Sequence, residues 1–173
     1  MVDIKQLQQN IENHKRPPIE KWDPPFCGDI EIRIRSNGEW WYQDSAIQRP
    51  ALVRLFASVL WQEGDEYFLI TPAEKVRIQV DDLPFLITNW RRDETDVIRV
   101  MTNTGEEYPL DERYPLVIDQ RQPAVHIRDG FLARVHRNVY YQWAEQAVPA
   151  LPSEADGFYL RSGNTRFYLG SAS

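Results

Sequence analysis

Cysteine is nearly absent from this chain of 173 residues, where Cys27 stands alone. One thiol excludes an intrachain disulfide and any metal site made of cysteines only, and it suits a reducing compartment. Long apolar runs are missing too. No stretch approaches the roughly 18 apolar residues of a membrane-spanning helix, so no membrane partner is expected. The opening Met-Val-Asp-Ile-Lys-Gln is too polar for a secretory signal, and cytoplasmic residence is the expectation. Positive charge is in deficit: 20 Lys and Arg against 26 Asp and Glu leave a net charge of −6. That disfavours nucleic acid as a partner, except through a local patch. The histidines, His14, His126 and His136, share no ligand-like spacing, so no metal is expected, and no other cofactor. There is no Gly-x-Ser-x-Gly elbow, phosphate-binding loop or dinucleotide fingerprint.

What is present suits a real core: 42% hydrophobic residues, six of the side chains tryptophan. The clearest helix runs from Arg49 to Trp61. Pro50 fits a first helical position, and Leu52, Val53, Phe56, Val59 and Leu60 make one apolar stripe, with Gly64 as the stop. Before it, Ile30, Ile32 and Ile34 alternate with Glu31, Arg33 and Arg35, and Asn37-Gly38 signals a two-residue turn. That turn pairs Ile34 with Trp41 and sets Arg33 and Arg35 opposite Tyr42 and Trp40. Arginine on rings is read as stem stacking or as a ligand face. After the helix, Tyr67–Ile70, a turn at 71–75 and Val76–Val80 make a second hairpin. The plan is hairpin, helix, hairpin.

Upstream, residues 3–14 read as a short helix capped by Asp3, with Ile4, Leu7 and Ile11 on one face. Pro17-Pro18 and Trp22-Asp-Pro-Pro-Phe26 follow as a stiff linker anchored by its aromatics. Downstream lie strands at 85–88, 97–102, 108–110, 116–118, 125–127 and 131–135, with a charged turn from Arg91 to Asp96. A helix over 137–148 carries Val139, Tyr140, Trp143, Ala144 and Ala147 on one stripe, and a closing hairpin spans 158–170. Both longer helices follow a strand, begin at an arginine (Arg49, Arg137) and lead to an acidic-glycine pair and another strand. This echo, at about 90 residues, suggests duplication of one unit.

Candidate chemistry is scattered. Cys27 reads as a semi-buried structural thiol. Asp29 and Glu74 adjoin turns beside apolar strands, and Glu74 with Lys75 reads as an ion pair. Arginine at a helix start opposes the helix dipole, so Arg49 and Arg137 call for an acidic partner or an anion such as phosphate. Arg54 joins Arg49 on its side of the helix.

Several motifs together resemble a bacterial family. They are Pro-Pro-Phe-Cys-Gly-Asp at 24–29, Arg49-Pro-Ala-Leu-Val-Arg-Leu-Phe56, Thr71-Pro-Ala-Glu-Lys75 and Asp129-Gly-Phe-Leu-Ala-Arg134, the last followed by Arg137 and Tyr140-Tyr141. In order, from Trp22 to Gly170, the chain resembles domain of unknown function 1285 (DUF1285), and its gammaproteobacterial members in particular. It departs at Leu160-Arg-Ser-Gly, where the family has Trp-Ser-Gly. Residues before Trp22 lie outside the resemblance. The resemblance implies an α+β fold of two duplicated units, with boundaries at 1–21, 22–82 and 83–173, the last like a pleckstrin-homology domain. It also implies a site between the units for a small, nucleotide-like ligand and a role in signal transduction, with no established enzymatic activity.

The expectation is a ligand-binding regulatory protein. Arg49, Lys75, Arg134 and Arg137 supply positive charge, Asp29, Thr71 and Glu74 offer hydrogen bonds, and Tyr140 stacks on a ring. The alternatives are a hydrolase of a phosphorylated small molecule, using Asp29 or Glu74 as base, and a module for a signalling protein partner built on Arg33, Arg35, Trp40 and Tyr42.

Overall fold

The computed structural model describes residues 3–12 and 22–171. The chain divides into two compact units, Met1–Asp82 and Leu83–Ser173.

The first unit opens with α1 (Ile4–Glu12). The Asp3 carboxylate accepts from the Lys5 N–H at 3.3 Å and its carbonyl from that of Leu7 at 2.9 Å. Leu7 and Ile11 are buried, so this segment contributes to the core of its unit. Residues 13–21, with the Pro17-Pro18 pair and His14, lie outside the described residues. Trp22 is half-buried, while Phe26 stays half-exposed with its ring 6.1 Å from Phe68, edge on.

Six strands then form one sheet: β1 (Phe26–Ile34), β2 (Trp40–Tyr42), β3 (Ser45–Ala46), β4 (Leu60–Glu63), β5 (Glu66–Ile70) and β6 (Lys75–Val80), with α2 (Pro50–Ala57) between β3 and β4. The order is β3-β2-β1-β6-β5-β4, and β1 and β6, first and last, run parallel at the centre. The hairpin, helix, hairpin plan is therefore present, with two corrections.

The β1–β2 connection is a three-residue loop. Arg35 N–H bonds the Glu39 carbonyl at 2.8 Å, and Gly38 closes the turn at φ +89°. This is a turn with an extra left-handed residue, which shifts pairing by one. Ile34 faces Trp40 and Arg33 faces Trp41. Because side chains alternate faces, that slip sends Trp40 into the core and leaves Trp41 on the arginine side. The second correction is the length of α2. It ends at Ala57, where the Ser58 hydroxyl bonds the Leu55 carbonyl at 2.5 Å. Val59 and Leu60 are buried as expected, but Leu60 already belongs to β4, and Gly64 makes the β4–β5 turn at φ +59°. A short apolar run satisfies helical and strand periods alike.

The second unit holds β7 (Phe85–Arg92), β8 (Ile98–Thr102), β9 (Glu107–Pro109), β10 (Leu116–Asp119), β11 (Gln122–His126) and β12 (Leu132–Val135). Their order is β10-β11-β12-β7-β8-β9, again with first and last strands parallel at the centre. Each sheet is thus two three-stranded meanders joined along their outermost strands in sequence. The duplication is real, but its register is not the one the helices suggest. First strands start at Phe26 and Phe85 and last strands at Lys75 and Leu132, offsets of 59 and 57 residues. α2 joins the two meanders of its sheet. Its counterpart position in the second unit, between Pro109 and Leu116, carries no helix, and α3 (Arg137–Gln146) comes after the sixth strand.

α3 is capped by His136, whose Nδ1 accepts from the Asn138 N–H at 3.0 Å. It buries Val139 and Trp143, while Ala144 is exposed, contrary to the expected stripe. Trp143 meets the edge of Trp90 at 6.3 Å. A third sheet of β13 (Val148–Pro149), β14 (Phe158–Ser162) and β15 (Thr165–Gly170) closes the unit. The Ser162 hydroxyl ties it to the larger sheet, accepting from Ile98 N–H at 2.8 Å and donating to the Leu110 carbonyl at 2.6 Å. Gly157, at φ +140°, admits no side chain: a Cβ there would lie 2.6 Å from the Gly170 carbonyl oxygen.

Candidate functional site

Alternation along β1 buries Ile30, Ile32 and Ile34 and turns Asp29, Glu31 and Arg33 outward. On the β6 side the pairing is uneven. Asp29 pairs with Arg77 and Arg33 with Gln79, so β1 takes four steps where β6 takes two. Such bulging bends a strand and opens its seam. A cleft of about 330 Å³ lies there, lined by Asp29, Ile30, Glu31, Ile32, Arg33, Gln43 and Gln79. This is near the lower size of small-molecule sites.

Ion pairs order its walls. Arg77 Nε donates to Asp29 at 2.8 Å and its Nη1 to Glu66 at 3.0 Å. Arg33 pairs with Asp81 and donates its other arm to the Gln79 side-chain oxygen, Oε1. The Gln43 N–H donates to the Glu31 carbonyl at 2.9 Å, and Gln43 holds a left-handed φ of +53°. Above Arg33 on the same face, the Arg35 guanidinium stacks 3.8 Å from the Trp41 ring centre. That face comprises Arg33, Arg35 and Trp41, rather than the four residues expected.

The residues singled out from the sequence divide into two groups. Several have partners of their own. Thr71 is buried, and its Oγ1 accepts from the Ala73 and Glu74 N–H groups, shaping the β5–β6 turn. Glu74 accepts from Asn10 Nδ2 at 2.8 Å and so docks α1. It does not pair with Lys75, which reaches Glu63 at 2.8 Å. Arg134 is buried, donating to the carbonyls of Asp119 and Gln122 at 3.2 Å and to the Asp119 carboxylate at 2.9 Å, which clamps the β10–β11 turn. Asp29 has Arg77. The second group is open. Arg49, Arg54 and Arg137 are exposed and have no ion-pair partner among the described residues, so the acidic partners expected for the pre-helix arginines are not found there. Tyr140 is half-buried, 6.2 Å from the Tyr141 ring. Cys27 is exposed rather than semi-buried.

Sequence reasoning missed the main polar cluster of the second unit. Glu106 accepts from Arg128 Nε and from the Tyr108 hydroxyl, each at 2.6 Å, and from Thr104 at 3.0 Å. Arg128 also lies over the Phe85 and Phe131 rings at 5.4 and 5.6 Å. Burial raises the Glu106 pKa, but Arg128, Tyr108 and Thr104 outweigh it and hold the carboxyl below its ordinary range. Burial, together with the Glu106 carboxylate, pushes the Tyr108 phenol well up. Both Glu106 oxygens are occupied, so the cluster is a brace between the β8–β9 turn and the 128–130 turn rather than a poised base. Only the glycine and charge pattern at 103–107 and 128–130 hinted at it. No group of three or more His, Cys, Asp or Glu among the described residues is placed to hold a metal ion.

The fold thus defines a two-unit α+β protein of duplicated six-stranded mixed sheets, with a polar cleft in the first. Two family models match it in tandem: the N-terminal domain of DUF1285, a domain of unknown function, over residues 17–83, and the DUF1285 C-terminal domain over 84–169. The chain belongs to the DUF1285 family. The match begins at residue 17, earlier than the Trp22 boundary taken from the motifs. It is similar to the crystal structure of a DUF1285 family protein from Silicibacter pomeroyi, with 32% identity and a TM-score of 0.84, over 99% of this chain and 97% of the other. A second, from Shewanella baltica, gives 31% identity and a TM-score of 0.57, over 66% of this chain and 91% of the other. No curated protein matches. No helix among the described residues is long and apolar enough to cross a membrane.

Proposed function

We propose that this chain is a cytoplasmic regulatory protein that binds a small anionic, nucleotide-like ligand and changes its population of conformers in response. The observation that carries the reading is the β1–β6 cleft. Carboxylates, a guanidinium and two carboxamides line it together, the mixed set that orients a polar ligand. Arg49, Arg54 and Arg137, exposed and without an ion-pair partner among the described residues, add local cationic points in an acidic chain. Of the residues expected from the sequence, Asp29 lines this cleft; Arg49 in the first unit and Arg137 and Tyr140 in the second stay in the proposal as accessible groups of their own units, with Thr71, Glu74, Lys75 and Arg134 as residues that hold turns or elements in place. A role in signal transduction, with the second unit serving as a pleckstrin-homology-like module, is part of the same proposal; its support is a six-stranded sheet followed by one helix, and the parallel β7–β12 pair at its centre speaks against it.

Thermal unfolding against a panel of nucleotides tests it. A true ligand at about 100 times its Kd adds about 2.7 kcal/mol. No stabilisation by any nucleotide at millimolar concentration would count against the reading. The protein-interaction alternative draws on the exposed Arg35–Trp41 stack, since Arg and Trp dominate interface hot spots. Its diagnostic change is Trp41→Ala, because Trp40 is in the core. A partner retained by that variant would argue against this face.

A further inference from the structure

We propose that Glu31 is the specificity anchor of the β1–β6 cleft, taking a ligand edge that carries two adjacent N–H donors, as on guanine or a guanidinium compound. This rests on the ligand-binding reading above and narrows it to one chemistry. Three charged side chains line the cleft. Asp29 is engaged by Arg77, and Arg33 by Asp81 and Gln79. Glu31 is exposed and its carboxylate has no partner among the described residues, although ion pairs flank it on both sides.

A carboxylate has two coplanar acceptor oxygens, so its best complement is a fork of two parallel N–H groups. Guanine presents such a fork at N1 and its exocyclic amine. Adenine sets an acceptor beside its amine, and that lone pair would face the carboxylate. A phosphate opposite Glu31 is repelled, and Arg33, two residues along the strand and about 6.6 Å away by backbone rise, would take it only by exchanging its Asp81 bond for the phosphate. The Gln43 carboxamide brings a donor and an acceptor for the remaining edges, and Gln79, whose side-chain oxygen takes the Arg33 guanidinium, brings its amide donor. The bond from Gln43 N–H to the Glu31 carbonyl holds the rim against the anchor.

The test is calorimetry and amide chemical-shift titration of the full chain with GMP, agmatine and AMP, on the native protein and on Glu31→Gln. Expected is binding of GMP or agmatine, with shifts centred on Glu31, Gln43 and Gln79, weakened roughly tenfold in Glu31→Gln. A response to GMP alone assigns the edge to a nucleobase. A response to agmatine alone keeps the anchor and overturns the nucleotide reading. AMP bound as tightly as GMP, with Glu31→Gln without effect, overturns the anchor and leaves the nucleotide reading standing. Silence toward all three overturns both. Thermal unfolding of Glu31→Gln checks that this exposed, size-matched change leaves the fold intact.

Discussion

The two sheets share a strand plan and both carry open ion pairs, in the second Arg91 and Arg99 with Glu107, but only one adds a half-buried charged cluster among the described residues. In the first, ion pairs lie on an open face: Arg33 with Asp81, and Arg77 with Asp29 and Glu66. In the second, Arg128, Glu106, Tyr108 and Thr104 close on one another in a half-buried cluster. Equal topology therefore did not bring equal chemistry. The central parallel pair is bulged in the first unit, where β1 takes the extra steps beside β6, and it runs in even register between β12 and β7. A site is a graft on a fold rather than a consequence of it.

The comparison is sharpest where each unit has one fully buried tryptophan. Trp40 stacks on Phe56 at 6.4 Å, and Trp143 meets Trp90. Trp40→Ala and Trp143→Ala are each expected to cost about 3–5 kcal/mol, read by urea unfolding, with near-UV dichroism reporting which core is lost. Neither indole N–H has a hydrogen-bond partner among the described residues. Trp→Phe at either position is therefore expected to cost less than about half as much, since no bond is broken.

Next in size is the contrast between ion pairs. Arg128→Ala leaves Glu106 half-buried without its cation and uncovers two rings, an expected loss of about 3 kcal/mol. Arg33→Ala, on the open face, is expected to cost under about 1 kcal/mol. Comparable losses in denaturant titration would break the distinction between the faces.

The pH dependence follows from Glu106. Its folded pKa lies below the ordinary value, so its contribution is present above about pH 4.3, the unfolded value, and is lost as pH falls through the folded pKa. Acid titration of stability is expected to show a steeper decline in the native protein than in Glu106→Gln. Parallel curves would remove Glu106 from the account. The smallest effect is expected at the cleft rim: Gln43→Gly relieves a left-handed φ of +53° and changes stability by no more than about 1 kcal/mol. A marked loss would mean that the Gln43 side chain itself supports the rim.

Most strands were legible because their alternation is clean, as in Ile30–Ile34 and Val76–Val80. The closing hairpin was legible through its Ser-Gly-Asn turn, realised as a two-residue loop at Gly163-Asn164. Failures came where one residue decides. A third loop residue beside Asn37-Gly38 exchanged the fates of Trp40 and Trp41. Apolar residues at 59 and 60 extended a helix on paper that the backbone ends at Ala57. The echo between arginine-led helices concealed the actual repeat, because the repeat lies in strand pairing across each sheet, whereas the two helices share only their neighbours in sequence.

Which residues lie inside was largely written in the order of side chains, since burying apolar area dominates folding and its period of two or 3.6 is local. The family, too, was carried by linear motifs. Only the tertiary structure decided the partners of the charged residues: Lys75 with Glu63, Arg134 on the β10–β11 turn, Arg77 with Asp29, and Glu31 with none among the described residues. Those pairings join positions remote in sequence, and a long, flexible charged side chain selects its partner from whatever the fold brings within reach.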